Sequence, residues 1–452
     1  MAVIAPFKGI TYNFHKDLDF SRLVAPPYDV ISESEQERYY RAHPYNVIRL
    51  ILGKKKRGDS DWDNRYTRAA EYFRRWQSEG VLMRSDQPSI YLVSLTFSPE
   101  EGIRKLTRWG MIVVVRIEEQ GSGVVLPHEQ TFSAHKDDRL RLMRACSAQF
   151  SQIFGLYEDA DHNISNVLRE TVDFSPQISF DFEDGTEHRM WILNNNHFLF
   201  KELAYIMRDK KIFIADGHHR YETSRNFRNL MMARYGSRPV SRSYEYVMMY
   251  LTNMFDEGLT VLPSHRLVKK APYFELHSFL EKAGKWFDIS EFHLSGQDPE
   301  SMLQNFRNKL KEEGQRGTAV GFYPYLGDRC YLLSLKPNMR QELGDDLHPS
   351  LKKLDVLVLS RLIFQKTIGF DKKDMDNDEI FHYQSNMERA FSQVSSGDYQ
   401  MVFFLNPTKI DHVKEVAGHS LVMPRKSTYF YPKILTGLVF NKIDPHETIL
   451  IP

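Results

Sequence analysis

The chain has 452 residues, of which 42% are hydrophobic, and its 60 Lys and Arg residues against 59 Asp and Glu residues give a formal net charge of +1. These values predict two or three domains with hydrophobic cores and exclude a globally disordered chain. The balanced charge argues against a nucleic-acid partner, although a local basic pocket is compatible with it. The two cysteines form no disulfide framework, and the apolar runs are too short to span a bilayer, so we expect a cytoplasmic protein with no membrane partner.

The first 53 residues predict a proline-stiffened loop, a helix and a strand. The loop is VAPPYDVI, residues 24–31, in which two consecutive prolines restrict the backbone. Such a loop can hold Tyr28 and Asp29 at the edge of a site, or Asp29 can simply precede the helix predicted for residues 32–43. The apolar run NVIRLILG, residues 46–53, predicts a strand.

Apolar residues at helical spacing predict a helix over residues 62–79. The residues that recur at this spacing are Trp62, Tyr66, Ala69, Phe73 and Trp76. We expect this aromatic stripe to face the hydrophobic core. Residues 90–97 and 109–118 then predict two strands, because both segments are rich in β-branched residues.

Residues 124–157 bring many ionisable groups together around the start of a predicted helix. LPHEQT places Glu129 in a loop after a strand, and KDDR places Asp137 and Asp138 at the helix entrance. Carboxylate, imidazole and ammonium groups in one place can perform proton transfer and charge neutralisation. The alternative is an ordinary helix N-terminus, whose dipole favours acidic residues.

The segment KIFIADGHHRYETSRNF, residues 211–227, predicts a buried strand, a tight turn and the start of a helix. Gly217 allows close approach of the backbone to a ligand, and the first turn of the helix presents N–H groups at the positive end of its dipole. Arg220 adds donors suited to phosphate oxygens, and Asp216 adds a carboxylate. We interpret the segment as a phosphate-binding turn, with a polar helix cap as the alternative.

Beyond this turn the chain alternates strands and helices. The main predictions are a strand over residues 244–254, two short strands in GLTVLPSHRLV, a long helical segment over 349–367 and a strand over 401–407. MPRKSTYFYPK, residues 423–433, can bind an anion or a substrate carboxylate through Arg425, Lys426, Ser427, Thr428 and Lys433. The alternative is that its alternating aromatic residues mark a strand edge.

Several motifs, taken together and in order, resemble a bacterial family formerly of unknown function that is distantly similar to the ParB/sulfiredoxin-like superfamily. They are APPYDVI, HPYNVIRL, LPHEQT, KDDRLRLMRA, IADGHHRYET, GLTVLPSHRLV and MPRKSTYFYPK. Relatives of that family with assigned activity are free-serine kinases, which make O-phosphoserine with ADP in archaeal forms and with pyrophosphate in forms closer to this chain. The resemblance implies a mixed α/β (α+β) fold, with a ParB/sulfiredoxin-like core at residues 106–268 between α/β parts at 1–105 and 269–452.

The resemblance also implies roles for individual residues. The residues that hold the phosphates of the donor are Gly217, His218, His219 and Arg220, and His218 also counts among the catalytic residues. Asp216 lies beside an Mg²⁺ ion or the transferred group. Glu129 is the general base for the serine hydroxyl, with Asp29 and Asp137 as substitutes. We expect Tyr28, Asp29, Lys426 and Thr428 to contact the substrate.

The prediction is therefore a cytoplasmic serine kinase, monomeric or homodimeric, that acts on L-serine with pyrophosphate or a nucleotide. The physiological direction, phosphorylation or its reverse, stays open. One alternative is a phosphohydrolase that splits phosphoserine or pyrophosphate at the same site. Another is a ParB-like nucleotide- or DNA-binding protein, which the balanced charge disfavours. The adjacent His218 and His219 also suggest a zinc site as a further alternative. Consecutive residues of one turn, however, converge poorly on a tetrahedral metal ion.

Overall fold

The computed structural model describes residues 1–99, 104–131, 133–194, 196–236, 241–294 and 298–452, and packing divides the chain into two compact units. The first unit comprises Met1–Pro127, Thr131–Thr260 and Tyr431–Pro452, and the second comprises His128–Gln130 and Val261–Phe430. Both units combine helices with sheets, so the predicted mixed α+β fold class is confirmed. The three-part division with a ParB/sulfiredoxin-like core stays a prediction.

The helices are, in chain order, α1 (Glu33–Ala42), α2 (Ile48–Ile51), α3 (Arg65–Ser78), α4 (Ser133–Cys146), α5 (Asn163–Glu170), α6 (His197–Met207), α7 (His218–Tyr235), α8 (Leu276–Ala283), α9 (Pro299–Arg316), α10 (Pro349–Lys352), α11 (Asp355–Val358), which continues into a π-helical segment (Leu359–Ile368), α12 (Lys372–Met375), α13 (Met387–Ser395) and α14 (Ile410–Gly418). The strands are β1 (Ile4–Ala5), β2 (Ile10–Tyr12), β3 (Leu82–Arg84), β4 (Ser89–Phe97), β5 (Leu106–Arg116), β6 (Val125–Leu126), β7 (Ala148–Gln149), β8 (Ile153–Tyr157), β9 (Ile178–Asp181), β10 (Glu187–Asn194), β11 (Ile212–Asp216), β12 (Tyr246–Asn253), β13 (Thr260–Leu262), β14 (His265–Val268), β15 (Phe287–His293), β16 (Ala319–Pro324), β17 (Arg329–Leu335), β18 (Phe381–Gln384), β19 (Met401–Leu405), β20 (Tyr429–Tyr431) and β21 (Asn441–Lys442).

The first unit is built on a mixed sheet of nine described strands. Eight of them follow the order β6-β11-β8-β12-β5-β4-β10-β9, and β1 pairs with β5. β11 runs parallel to β6 and antiparallel to β8, and β12 runs parallel to β8. Every residue of β12 is buried, as is typical of a strand covered on both faces. β11 therefore lies one strand in from the β6 edge, and α7 leaves the sheet at its carboxyl end.

The second unit is built on an antiparallel sheet of six described strands in the order β15-β17-β16-β19-β14-β18. Its hydrophobic core joins α9 and α13 to this sheet through buried residues that include Phe306, Val394 and Phe404. The two short strands predicted in GLTVLPSHRLV are present as β13 and β14.

The strand predicted for NVIRLILG is wrong, because this segment forms the short helix α2. The side-chain oxygen of Asn46 accepts a hydrogen bond from the Ile48 N–H at 2.8 Å, and the amide donates to the Arg22 and Val24 carbonyls at 2.7 and 3.0 Å. These bonds turn the chain at the position where a strand would continue. Ile48, Leu50 and Ile51 are all buried, and a short run buried on every side has no periodicity that separates helix from strand.

The predicted helix over residues 62–79 is present but begins later, at Arg65. Asn64 accepts hydrogen bonds from the N–H groups of Tyr66 and Thr67 and so ends the preceding loop. Trp62 is consequently 91% exposed, and its predicted place in the core is wrong, whereas Ala69, Phe73 and Trp76 are buried. Within the described ranges, no helix is both long and apolar enough to cross a bilayer.

Candidate functional site

The predicted strand, turn and helix of the DGHHR segment are present in the first unit. β11 ends at Asp216, Gly217 adopts a φ of +94°, and α7 begins at His218. A Cβ atom on Gly217 would lie 2.9 Å from Nε of Arg220. Both the left-handed backbone and this close approach therefore favour glycine at position 217. The turn points the N-terminus of an 18-residue helix towards the end of the strand.

Two cationic side chains hold the carboxylate of Asp216. Arg220 donates to Oδ2 and Lys433 donates to Oδ1. The side chains of Asp216, Arg220 and Lys433 are only 14%, 11% and 13% exposed, so water screens their charges weakly. Arg220 also donates to the carbonyl of Gln152, which precedes β8. Two positive charges and one negative charge are thus fixed at the start of α7.

The buried side chain of Arg108 positions the segment that carries Lys433. Its guanidinium donates to the carbonyl of Tyr431 at 3.0 Å and to that of Pro432 at 2.7 Å. Arg108 itself is fully buried on β5 and lies 4.7 Å from the ring centroid of Phe154. Two backbone contacts immediately before Lys433 therefore fix the direction in which that side chain leaves the chain.

The two histidines of the turn differ in burial. His218 is 4% exposed, whereas His219, like Asp216, Gly217 and Arg220, is partly exposed. The ring of His218 is therefore packed in the protein interior, and His219 is the histidine with more access to solvent. The roles assigned to both histidines stay predictions.

Tyr28 lies beside the turn, at a small cavity of about 50 Å³ that Arg139, Arg220 and Thr223 also line. The guanidinium of Arg139 stacks 3.8 Å from the Tyr28 ring centroid. Burial raises the pKa of Tyr28 to about 12, against the opposing effect of Arg139, so its phenol is neutral at physiological pH. Oγ1 of Thr223 is buried without a hydrogen-bond partner among the described residues. Asp29, by contrast, is exposed.

Asp137 and Asp138 were predicted at the entrance of a helix, but α4 already begins at Ser133, so both lie within the helix. Asp138 bonds with three side chains: Arg65, Tyr66 at 2.7 Å and Arg139 at 2.7 Å. Burial alone would raise the pKa of Asp138, but Arg139, Tyr66 and Arg65 together lower it. Asp138 is therefore an ionised structural partner of α3, and Asp137 is exposed.

Glu129, the predicted general base, lies in the second unit. Its segment forms a parallel bridge with Met423, whose N–H donates to the carbonyl of His128 at 2.8 Å. The ring of His128 in turn lies 3.3 Å from Oγ1 of Thr428. The structure thus brings Glu129 and Thr428, which are 299 positions apart in the sequence, into one local cluster.

Arg266 of β14 organises this cluster. It donates to the Lys426 carbonyl at 2.9 Å and to the Ser264 hydroxyl at 2.7 Å. Burial lowers the pKa of Arg266 to about 10, while Tyr383 and Glu129 act in the opposite direction. The side chain stays charged at physiological pH, and Glu129 lies within reach of its electric field.

The predicted site residues consequently fall into two groups, and their roles stay predictions. The first unit holds Tyr28, Asp29, Asp216, Gly217, His218, His219 and Arg220, and the second unit holds Glu129, Lys426 and Thr428. Sequence reasoning missed Arg108, and it gave Lys433 an anion or a substrate carboxylate as its partner rather than Asp216. The motif MPRKSTYFYPK did single out the segment of Lys433, but no local pattern marks a buried arginine that binds carbonyls more than 300 residues away.

No cluster of three or more His, Cys, Asp or Glu residues suited to a metal occurs in the part of the chain that the structure describes. Mg²⁺ commonly uses one or two carboxylates together with substrate phosphates, so Asp216 alone fits an ion held mainly by a phosphate donor. Both oxygens of this carboxylate already accept from Arg220 and Lys433. A metal ion bound there would share this carboxylate with two cations through the remaining lone pairs of the oxygens.

The chain belongs to the family described as "Protein of unknown function (DUF1015)", which matches residues 4–357. A comparison with curated proteins found no match. Among solved structures, the chain is similar to a free serine kinase in complex with AMP, with 12% identity, 75% of this chain and 93% of that chain covered, and a TM-score of 0.35. A variant of free serine kinase in complex with ADP gives 11% identity, coverage of 78% and 98%, and a TM-score of 0.37. The chain is also similar to a conserved hypothetical protein from Pyrococcus furiosus, with 12% identity, 72% of this chain and 92% of that chain covered, and a TM-score of 0.33.

Proposed function

We propose that this member of the DUF1015 family is a phosphotransferase that phosphorylates free L-serine with pyrophosphate. The observation that carries the proposal is the arrangement of Asp216, Arg220 and Lys433 at the start of α7. Phosphoryl transfer needs little covalent chemistry from the protein and depends on positioning and charge stabilisation. A helix N-terminus with two fixed cations supplies both.

The donor phosphates bind at the turn, where Gly217 has no side chain and the guanidinium of Arg220 lies close to the backbone. Arg220 offers a planar set of donors for two phosphate oxygens, and Lys433 acts as a point charge. Asp216 keeps both cations in place before the donor arrives. Because the two cations are already in place, the site needs little rearrangement when negative charge develops in the transition state, and this lowers the activation free energy.

The reaction transfers one phosphoryl group. Oγ of serine bonds to a terminal phosphorus, the bridging P–O bond of pyrophosphate breaks, orthophosphate leaves, and the hydroxyl proton passes to a carboxylate base. The resemblance to free-serine kinases implies that Glu129 is this base. When bound, Mg²⁺ supplies additional neutralisation of the phosphate charge.

Mass spectrometry of O-phosphoserine tests the proposal. Purified full-length protein with L-serine, pyrophosphate and Mg²⁺ should form O-phosphoserine and orthophosphate in equal amounts. Replacing pyrophosphate by ADP or ATP identifies the donor, and omitting serine measures hydrolysis at the same site. Absence of O-phosphoserine with all three donors contradicts the proposal, and orthophosphate release that does not depend on serine favours a phosphohydrolase.

A further inference from the structure

The second unit contains a cavity of about 370 Å³ that the predicted serine-kinase residues do not form. It lies where several elements end or begin: the C-terminus of α9, the end of β19, the start of α11 and the start of α14. This volume is in the range of sites for small ligands, roughly 300–1,000 Å³. The cavity is therefore large enough for a compact metabolite.

Basic side chains dominate the lining of this cavity. The basic residues are Arg266, Arg316, Arg340, Lys353, Lys409 and His412. Among the described residues that line it, Asp355 is the one carboxyl group. Burial raises the pKa of Asp355, against the opposing effects of Thr318, Arg340 and Lys409. One carboxyl group thus accompanies six basic side chains at the cavity wall.

Three of these cations have no carboxylate hydrogen-bonded to them among the described residues. Arg266 donates to the Lys426 carbonyl at 2.9 Å, and Arg340 donates to the Lys352 carbonyl at 2.8 Å and the Thr318 hydroxyl at 2.7 Å. These acceptors are neutral. The ammonium group of Lys409 has neither a hydrogen bond nor an ion pair within the described part of the chain.

The two remaining cations are already neutralised from outside the cavity. Arg316 donates to Glu312 and Glu313 at 2.6 and 2.8 Å, and Lys353 donates to Glu415 at 2.8 Å. The cations without a hydrogen-bonded carboxylate are thus Arg266, Arg340 and Lys409, although Arg266 interacts with the charge of Glu129 and the other two interact with Asp355.

The lowered pKa of His412 is consistent with a positive electrostatic potential in the cavity. Burial lowers its pKa, and Lys409 and Arg340 lower it further. Clustered cations on a concave surface are electrostatically unfavourable until an anion binds between them.

We propose that this cavity is a second anion-binding site, which takes a compact phosphate-bearing anion. Phosphate oxygens accept several charge-assisted hydrogen bonds at once, as the guanidinium and ammonium groups require. No described lining residue is Phe, Tyr or Trp, and the imidazole of His412 is the one aromatic ring among the described lining residues. A lining with many cations and a single small ring favours inorganic pyrophosphate or a small phosphomonoester over a nucleotide.

Lysine acetylation of the folded, full-length chain, read by peptide mass spectrometry, tests this site directly. The probes are sodium pyrophosphate and O-phosphoserine, and sodium chloride at equal ionic strength is the control. A probe at ten times its Kd should slow acetylation of Lys409 about ten-fold, because the rate follows the unoccupied fraction. Lys311, an exposed lysine of α9 outside the cavity, should react at the same rate throughout.

The two probes separate the sources of the phosphate, since protection by one alone identifies an inorganic or an organic ligand. Unchanged labelling of Lys409 with both probes overturns the proposal. Protection by sodium chloride to the same extent also overturns it, because screening needs no site.

Calorimetry with matched variants gives a second measurement. Lys409→Gln should weaken binding of the protecting probe about ten-fold, the loss expected for one charge-assisted hydrogen bond. Lys311→Gln should leave it unchanged, and equal affinities in the two variants contradict the site.

The result is independent of the proposed kinase activity. In a chain with Arg220→Ala, protection of Lys409 should persist although serine phosphorylation is lost. Protection in a wild-type chain that makes no O-phosphoserine would sustain this site and reject the kinase. Loss of protection in the Arg220→Ala chain would instead reject the second site.

Discussion

The carboxylate of Asp216 accepts a hydrogen bond from the ammonium group of Lys433, which lies 217 positions further along the chain. The same carboxylate accepts from Arg220, four positions after it. A local contact and a distant one thus converge on a single acidic group at the start of α7. If Asp216, Arg220 or Lys433 is replaced by a neutral residue, the net charge of the remaining pair changes at a position where water screens charges weakly.

We expect Lys433→Met to weaken the use of pyrophosphate more than it weakens the fold. The substitution removes one charge-assisted hydrogen bond of about 1.5–3 kcal/mol, which corresponds to a rise of about ten-fold or more in KM for pyrophosphate. Steady-state kinetics measure this change. Lys201→Met, at an exposed position of α6, is the control and should leave KM unchanged. Equal KM values for the two variants would remove Lys433 from the site.

Gly217→Ala should lose activity for two combined reasons. Alanine at a φ of +94° costs about 1–2 kcal/mol, and its Cβ would lie 2.9 Å from Nε of Arg220. Gly185→Ala is the matched control, because Gly185 has a φ of +78° but no neighbouring atom within 4 Å of its added Cβ. Thermal unfolding should show a similar loss of stability in both variants, while only Gly217→Ala loses turnover. Full turnover in Gly217→Ala would show that Arg220 can move without consequence.

Arg108→Met should lower both stability and activity, because the carbonyls of Tyr431 and Pro432 each lose the hydrogen bond from the guanidinium. The bond to Pro432 is buried, and a buried carbonyl that loses its donor costs about 1–3 kcal/mol. Arg108→Lys should rescue little, since one ammonium group cannot match the planar pair of donors that reaches Tyr431 and Pro432.

Steady-state kinetics distinguish a positioning role of Arg108 from a loss of stability alone, because only the positioning role changes KM for pyrophosphate. Below the melting temperature of each variant, KM for pyrophosphate should rise as it does in Lys433→Met. A variant with lower stability and an unchanged KM would show that Arg108 does not act through Lys433.

Acid should destabilise the second unit through His265. Burial lowers the pKa of this histidine to about 3, with smaller contributions from Arg266 and Arg307. Above pH ~6.5 the ring is neutral in both states and contributes nothing. Below that pH the unfolded chain binds a proton that the folded chain does not, so the free energy of unfolding falls by about 1.4 kcal/mol per pH unit down to about pH 3.

Urea unfolding at a series of pH values between ~7 and ~5 measures this slope. The Leu405 N–H donates to Nδ1 of His265 at 3.1 Å, and His265→Asn preserves an acceptor for it. This substitution should reduce the pH dependence of the free energy of unfolding by the contribution of one proton. The exposed His277→Asn is the control. An unchanged slope in His265→Asn would assign the acid sensitivity to other groups.

The strand, the turn and the helix of DGHHR could be predicted from sequence because their signals are local. A short apolar run, a glycine and a helical repeat lie within 17 residues. The helix α2 could not be predicted, because Asn46 bonds to backbone carbonyls at positions 22 and 24, and only the folded chain brings these groups together. The start of α3 depended on the cap of Asn64, a short-range signal that the aromatic stripe obscured.

The contacts between the site residues also depend on parts of the chain that are distant in sequence. Motifs indicated that residues 211–227 and 423–433 matter, but neither segment contains information about which lysine reaches which carboxylate. The contact of Lys433 depends on Arg108, a residue of β5 that nothing in its local sequence distinguishes from other strand arginines. Long-range ion pairs of this kind need the tertiary structure.

Formation of O-phosphoserine by Arg220→Ala, compared with Arg225→Ala on the same helix, tests the central claim most directly. Both variants remove one arginine from α7, but only Arg220 bonds to Asp216. Mass spectrometry with L-serine, pyrophosphate and Mg²⁺ should detect O-phosphoserine at near wild-type rate with Arg225→Ala and none above background with Arg220→Ala, while both keep the wild-type far-ultraviolet circular dichroism. Equal rates in the two variants would contradict the account.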